Sequence, residues 1–88
     1  MLFSLGRLVA TPGAIAHLAE HDLSPLQLIA RHSRGDWGDL GVSDKKLNDQ
    51  AITDGSRILS AFVVAGEKLY VITEWDRSYT TVLLASEY

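Results

Sequence analysis

The sequence contains no cysteine, which excludes disulfide cross-links, thiolate metal sites and cysteine nucleophiles. Long apolar runs are also missing. The longest, residues 61–65 and 82–85, are far shorter than the roughly 20 residues of a membrane-spanning helix. Residues 1–7 lack the basic stretch and apolar core of a secretory signal. These absences predict a cytoplasmic protein with no membrane partner.

A basic surface stripe is missing as well. The 88 residues carry a formal net charge of −3, and the acidic side chains concentrate in residues 36–54. Duplex DNA is bound mainly through basic residues on its phosphates, so we expect no duplex DNA partner, whereas RNA and protein partners stay open. A hydrophobic content of 47% and a charged content of 22% are typical of a folded protein, here a single domain over residues 1–88.

The chain has only two prolines, and each follows a hydroxyl residue, in Thr11-Pro12 and Ser24-Pro25. A hydroxyl N-cap followed by proline is typical of a helix start. The pattern predicts helices over residues 12–21 and 25–34. The side chains expected to face the core are Ala14, Ile15, Leu18, Ala19, Leu26, Ile29 and Ala30.

A third helix is predicted over residues 43–54, after a glycine-rich loop. Ser43 has the type and position of an N-cap, with Val42 and Leu47 as the two members of a hydrophobic staple. We expect Leu47 and Ala51 to face the core.

From residue 57 onward the apolar pattern alternates, which predicts strands over residues 57–65, 68–74 and 79–85. Residues 5–10 are a candidate fourth strand. The predicted fold class is therefore α+β: a three-stranded antiparallel meander, extended by the N-terminal strand if it forms, packed on one face by three short helices.

The turns set the register of this meander. A loop centred on Gly66-Glu67 pairs Val64 with Leu69 and Ser60 with Thr73, and a turn centred on Asp76-Arg77 pairs Thr73 with Thr80. Three hydroxyls then lie side by side across the sheet. They either bond to one another as a structural ladder or, beside arginines, form a site for an anion such as a phosphodiester.

His32, near the end of the second helix, is the best candidate for an acid/base residue, although a histidine there also suits the helix dipole. The candidate catalytic residues are His32, Arg57, Arg77, Ser60 and Thr80. The candidate binding residues are Arg31, Asp36, Trp37, Thr73, Glu74 and Asp76. His17 and His21 have the spacing of two metal ligands on a helix, but spacing fixes no third ligand, so we predict neither a metal site nor a cofactor.

The other face of the predicted sheet carries few polar side chains. Its apolar members are Leu59, Ala61, Val63, Tyr70, Ile72 and Leu83. Three short helices have enough apolar surface for one face of a sheet, so we expect the second face to be covered by a twofold mate in a homodimer. The alternative is that the helices divide between the two faces.

Several motifs together resemble a family of small uncharacterised bacterial proteins carried on plasmids and other mobile elements. They are Arg31-His32-x-x-Gly35-Asp36-Trp37-Gly38, Asn48, Gly55-x-Arg57-Ile58-x-Ser60, and Val71-Ile72-Thr73-Glu74-x-Asp76-Arg77-Ser78-x-Thr80-Thr81-x-Leu83-Leu84. The resemblance covers nearly the whole chain and departs from the family pattern at Trp75 and Ala85. Members are sometimes labelled plasmid-related protein or restriction subunit M, but 88 residues cannot hold a methyltransferase. The resemblance implies membership of the bacterial mobile gene pool but no established activity, and we expect a small non-catalytic interaction protein.

The order of helices before an antiparallel sheet is also similar to small toxin-type ribonucleases of the barnase and colicin kind. That layout implies His32 as the general acid/base, Arg57 or Arg77 as a phosphate clamp, and Thr80 or Ser60 as a positioning hydroxyl. The two functions differ in one structural requirement. An enzyme needs these side chains in one open cleft.

Overall fold

Both predicted helix starts are confirmed in the computed structural model, which describes residues 1–88. Helix α1 spans Pro12–Glu20, and the hydroxyl of Thr11 accepts a hydrogen bond from the Ala14 amide at 3.1 Å. Helix α2 spans Pro25–Ser33, and the side chain of Gln27 reaches back to the Ser24 amide at 2.7 Å. The N-cap hydroxyl acts as predicted at α1, whereas at α2 Ser24 is the N-cap but its hydroxyl makes no capping hydrogen bond.

Helix α3 spans Val42–Asp54 and begins one residue earlier than predicted. The predicted hydrophobic staple is wrong, because Val42 and Leu47 are 73% and 61% exposed and Gly41, not Ser43, is the N-cap. The helix instead buries Asn48 and Ala51, and the Asn48 side chain donates a hydrogen bond to the Leu59 carbonyl of the neighbouring strand. This longest helix has 13 residues, and no helix combines the length and apolar character needed to cross a membrane.

The strands form one four-stranded sheet, and both the meander and the N-terminal strand are present. The strands are β1 (Arg7–Ala10), β2 (Ile58–Val64), β3 (Glu67–Thr73) and β4 (Tyr79–Leu84), in the spatial order β1-β4-β3-β2. β1 pairs with β4 in parallel, and the other pairs are antiparallel. A short 3₁₀ turn, Ala85–Glu87, follows β4.

The predicted register of the β3–β4 hairpin is confirmed, with Thr73 opposite Thr80. That of the β2–β3 hairpin is wrong by two residues, since Val64 pairs with Glu67 and Ser60 with Val71. The connection is only Ala65-Gly66, with φ of 49° and 81°, and two positive φ values suit a tight hairpin turn. A slip of two residues keeps every side chain on its predicted face.

All three helices pack against the same face of the sheet, called here the first face. Its apolar core comprises Ala14, Leu18, Leu28, Ile29, Phe62, Leu69, Val71 and Val82, with Phe3, Trp37, Ala51 and Ile58 as a second cluster. Some predicted core positions are wrong. The exposed ones are Ile15, Ala19, Leu26, Ala30 and Leu47. In α2 the buried side is that of Leu28 and His32, one turn apart, so Leu26 points to solvent.

Candidate functional site

His32 lies at the centre of a chain of hydrogen bonds inside the first face. Its Nδ1 is 2.5 Å from the Ser60 hydroxyl and its Nε2 is 2.9 Å from the Thr73 hydroxyl. The Thr73 and Thr80 hydroxyl oxygens are 2.7 Å apart, and the Thr80 hydroxyl donates to the Leu5 carbonyl at 2.7 Å. All four side chains belong to residues with 0% exposure. We call this group the hydroxyl–histidine network.

The network has one consistent set of donors, fixed at its Leu5 end. A carbonyl oxygen only accepts, so Thr80 donates to it and in turn accepts from Thr73. Thr73 must then accept from the Nε2–H of His32, which leaves Nδ1 to accept from the Ser60 hydroxyl. These bonds suit the neutral ring, which then carries its proton on Nε2 and has both nitrogens already paired.

Two aromatic rings close off the imidazole. The Phe3 ring meets His32 edge to face at a centroid distance of 5.2 Å, and the Trp37 ring does so at 5.8 Å. The Trp37 indole is fixed by a 3.0 Å hydrogen bond from Nε1 to the Asp49 carboxylate. Burial among these groups lowers the pKa of His32 from its ordinary value of 6.5 to about 4.

The two arginines predicted to clamp a phosphate are elsewhere. The Arg77 guanidinium donates to the backbone carbonyls of Ser56 at 2.7 Å, Ala51 at 2.8 Å and Glu74 at 3.0 Å. It thereby ties the last turn of α3 to the β3–β4 turn. Arg57 is exposed, lies over the Tyr88 ring at 5.4 Å and hydrogen-bonds the Tyr88 hydroxyl. Neither arginine shares an open cleft with His32.

The remaining predicted binding residues engage their own neighbours. Arg31 and Asp36 form an ion pair at 2.7 Å, and the hydrogen bond from Arg31 lowers the pKa of Asp36. Asp76 accepts from the Ser78 amide at 3.0 Å, and the hydrogen bonds from Ser78 lower its pKa. Glu74 is half-buried and has no ion-pair partner.

Two residues that support this region escape sequence reasoning about the site. The Asn48 side-chain amide donates from Nδ2 to the Leu59 carbonyl at 2.7 Å and accepts at Oδ1 from the Leu59 amide at 3.1 Å, and so satisfies part of the outer edge of β2. Gly38 has φ of +72° and lies so close to β2 that a Cβ there would collide with the Ala61 carbonyl. The position of Asn48, one helical turn from the buried Ala51, could have indicated its role from the sequence. Nothing in the glycine-rich loop distinguishes Gly38 from its neighbours.

Comparison with known proteins finds no matching family model, no matching curated protein and no matching solved structure. The evidence on function therefore comes from the geometry of the two faces of the sheet.

Proposed function

We propose that this chain is a small non-catalytic interaction protein that forms a homodimer through the second face of its sheet. One observation carries the proposal: the best acid/base candidate, His32, is sealed inside the first face, whereas the opposite face of the same sheet leaves apolar side chains accessible. The resemblance to proteins of bacterial mobile elements fits such a role.

The geometry of His32 favours this proposal over a ribonuclease. A general acid or base must come within hydrogen-bond reach of the substrate. Both ring nitrogens of His32 are paired with Ser60 and Thr73, and the ring is 0% exposed. Arg57 and Arg77, which would hold the phosphate, have different partners. The hydroxyl–histidine network therefore explains the contacts of His32 as part of the core, and the two arginines bond elsewhere.

The second face is only partly covered by the chain itself. The Tyr88 ring packs against the Tyr70 ring at a centroid distance of 5.6 Å, and the Arg57 guanidinium lies over it. Ile72, two residues after Tyr70 on β3 and paired with Leu59, is buried. Val63 remains 51% exposed. Of the six apolar residues predicted for the interface, Ala61 and Ile72 are already buried, and Leu59, Tyr70 and Leu83 are half-buried.

A second copy of the chain is the partner that this face suits best. Its middle rows are apolar, while Lys68, opposite Val63, and Arg7, opposite Tyr79, lie toward its rim. An apolar centre with a charged rim is typical of protein interfaces. Because part of the face is already covered, we expect an interface smaller than the ~800 Å² per partner of a standard one and a weak dimer that dissociates in the micromolar range.

Sedimentation equilibrium tests the proposal across micromolar concentrations. We expect wild type to approach twice the 9.6 kDa of one chain, and Val63→Glu to stay at 9.6 kDa. Leu26→Glu is the matched control, since Leu26 is exposed on α2, which packs against the first face. A wild-type mass of 9.6 kDa at every concentration would refute the dimer.

An RNA cleavage assay tests the other half of the proposal. We expect wild type and His32→Gln to show the same background cleavage, and induced expression of wild type to be harmless to the host. Cleavage and toxicity that disappear in a folded His32→Gln variant would replace the proposal with the ribonuclease alternative.

A further inference from the structure

A separate cluster of metal-ligating side chains lies at the C-terminal end of α1. His17, Glu20 and His21 each offer a ligand atom, and these atoms lie within 4.8 Å of one another. The spacing of His17 and His21 in the sequence did not identify a third ligand, and in the structure Glu20 has the position of that ligand. We infer that this cluster binds a divalent transition metal ion of the zinc class.

The hydrogen bond made by His17 supports this assignment independently of the clustering. Its Nε2 is 2.7 Å from the Val64 carbonyl oxygen, and a carbonyl only accepts, so the ring proton is on Nε2. The lone pair of the neutral ring is then on Nδ1, available to a metal. Zinc-binding histidines almost always donate their second ring N–H to a carbonyl or carboxylate in this way, which fixes tautomer and orientation.

The surroundings of the cluster also suit a cation. Glu20 and His21 are exposed and His17 is half-buried, so an ion can enter without rearrangement of the core. The cluster lies at the C-terminal end of a helix, where the helix dipole is negative. The His17 and His21 rings are close together, with centroids 5.0 Å apart.

The donor set selects the class of metal. Two imidazoles and one carboxylate suit Zn²⁺, whereas Mg²⁺ and Ca²⁺ prefer oxygen ligands alone. Three protein ligands leave one position of a tetrahedral ion for water or an added anion. Because His17 also bonds to Val64, the last residue of β2, a bound ion would stabilise the contact between α1 and the β2–β3 turn.

Isothermal titration of the full chain with Zn²⁺ alone, at a pH where histidine is neutral, tests this inference. We expect one ion per chain and a rise in Tm on zinc addition, because the metal binds the folded state. His21→Ala and Glu20→Gln should each weaken binding by about tenfold or more. Asp44→Asn, which removes an exposed carboxylate from α3, is the matched control and should leave binding unchanged.

Co²⁺ gives a second readout, since a tetrahedral site with nitrogen ligands produces visible absorption bands that a loosely held ion lacks. His21→Ala and Glu20→Gln alter exposed side chains, and far-ultraviolet circular dichroism will show that they fold. Zinc binding by wild type that is no tighter than by folded His21→Ala, or lost equally in Asp44→Asn, would overturn the inference. This result is independent of the dimer, whose interface does not include α1.

Discussion

The exposure of the two faces of the sheet is the reverse of what their polarity suggests. The first face contains Ser60, Thr73 and Thr80, yet all three residues are fully buried beneath helices and aromatic rings. The second face is mainly apolar, yet Val63 and parts of Leu59, Tyr70 and Leu83 are accessible. The three hydroxyls, joined through His32, therefore form a structural network here, and the accessible apolar surface lies on the second face.

The first face tolerates polar groups because every one of them has a partner. No buried side-chain nitrogen or oxygen lacks a hydrogen bond. A buried network that is fully connected fixes a single arrangement of the core, whereas one missing member leaves others unsatisfied. The contrast between the faces should therefore appear as a contrast in sensitivity to substitution.

Replacement of His32 should have the largest effect. His32→Leu fills most of the volume but leaves the Ser60 and Thr73 hydroxyls without their buried partner, and we expect a loss of about 4 kcal/mol in the free energy of unfolding. Urea denaturation measures it. The control His21→Leu, at an exposed position, should change the value by less than about 0.5 kcal/mol. Equal effects of the two substitutions would contradict the network.

Acid should weaken the fold through the same residue. The pKa of His32 is about 4 in the folded chain and near 6.5 when unfolded, so the unfolded state binds more protons between these values. Stability is therefore complete above pH 6.5 and falls as the pH drops toward 4, by at most about 3 kcal/mol. His32→Leu should remove this dependence, and urea midpoints at a series of pH values will measure it. A wild-type profile that is flat across this window would exclude a buried neutral His32.

Adjacent threonines allow a direct comparison of the faces. Thr80→Val removes the donor to Leu5 and the acceptor for Thr73, and we expect a loss of about 2 kcal/mol. Thr81→Val changes the next residue, which is half-buried on the second face, and should change stability by less than about 0.5 kcal/mol. Chemical denaturation of both variants provides the comparison, which fails if Thr81→Val costs as much as Thr80→Val.

The smallest effect on the folded chain is expected at Val63. Val63→Thr replaces a methyl group of a side chain that is half exposed, and should change the free energy of unfolding of the monomer by less than about 0.5 kcal/mol. Urea denaturation at concentrations below the dissociation constant of the dimer measures it. The same change at Val71, which is 0% exposed, should cost about 2 kcal/mol. A large loss at Val63 would mean that the second face is already part of a sealed core.

The local parts of this fold were predictable from sequence. Thr11-Pro12 and Ser24-Pro25 mark the helix starts, and the Asp76-Arg77 turn sets the β3–β4 register, because these features depend on neighbouring residues. The β2–β3 register was not predictable in this way. Registers that differ by two residues leave the same side chains on each face, so only the length of the turn distinguishes one register from the other.

The four members of the hydroxyl–histidine network were among the predicted site residues, but their arrangement was not predicted, and the predicted charged residues lie elsewhere. Alternation places Thr73 opposite Thr80, but nothing local shows that His32, on a helix, enters between Thr73 and Ser60. The parallel pairing of β1 with β4 and the contact of Asn48 with Leu59 are likewise long-range. Packing of distant elements determines whether a polar row is a site or part of a core.

The dependence of backbone amide chemical shifts on protein concentration tests the contrast between the faces most directly. In two-dimensional NMR spectra recorded from micromolar to millimolar concentration, we predict that the amides of Leu59, Val63 and Leu83 shift with concentration while those of His32 and Thr73 do not. Shifts that are independent of concentration, or that concentrate on α1 and α2, would contradict the assignment of the second face as the interaction surface.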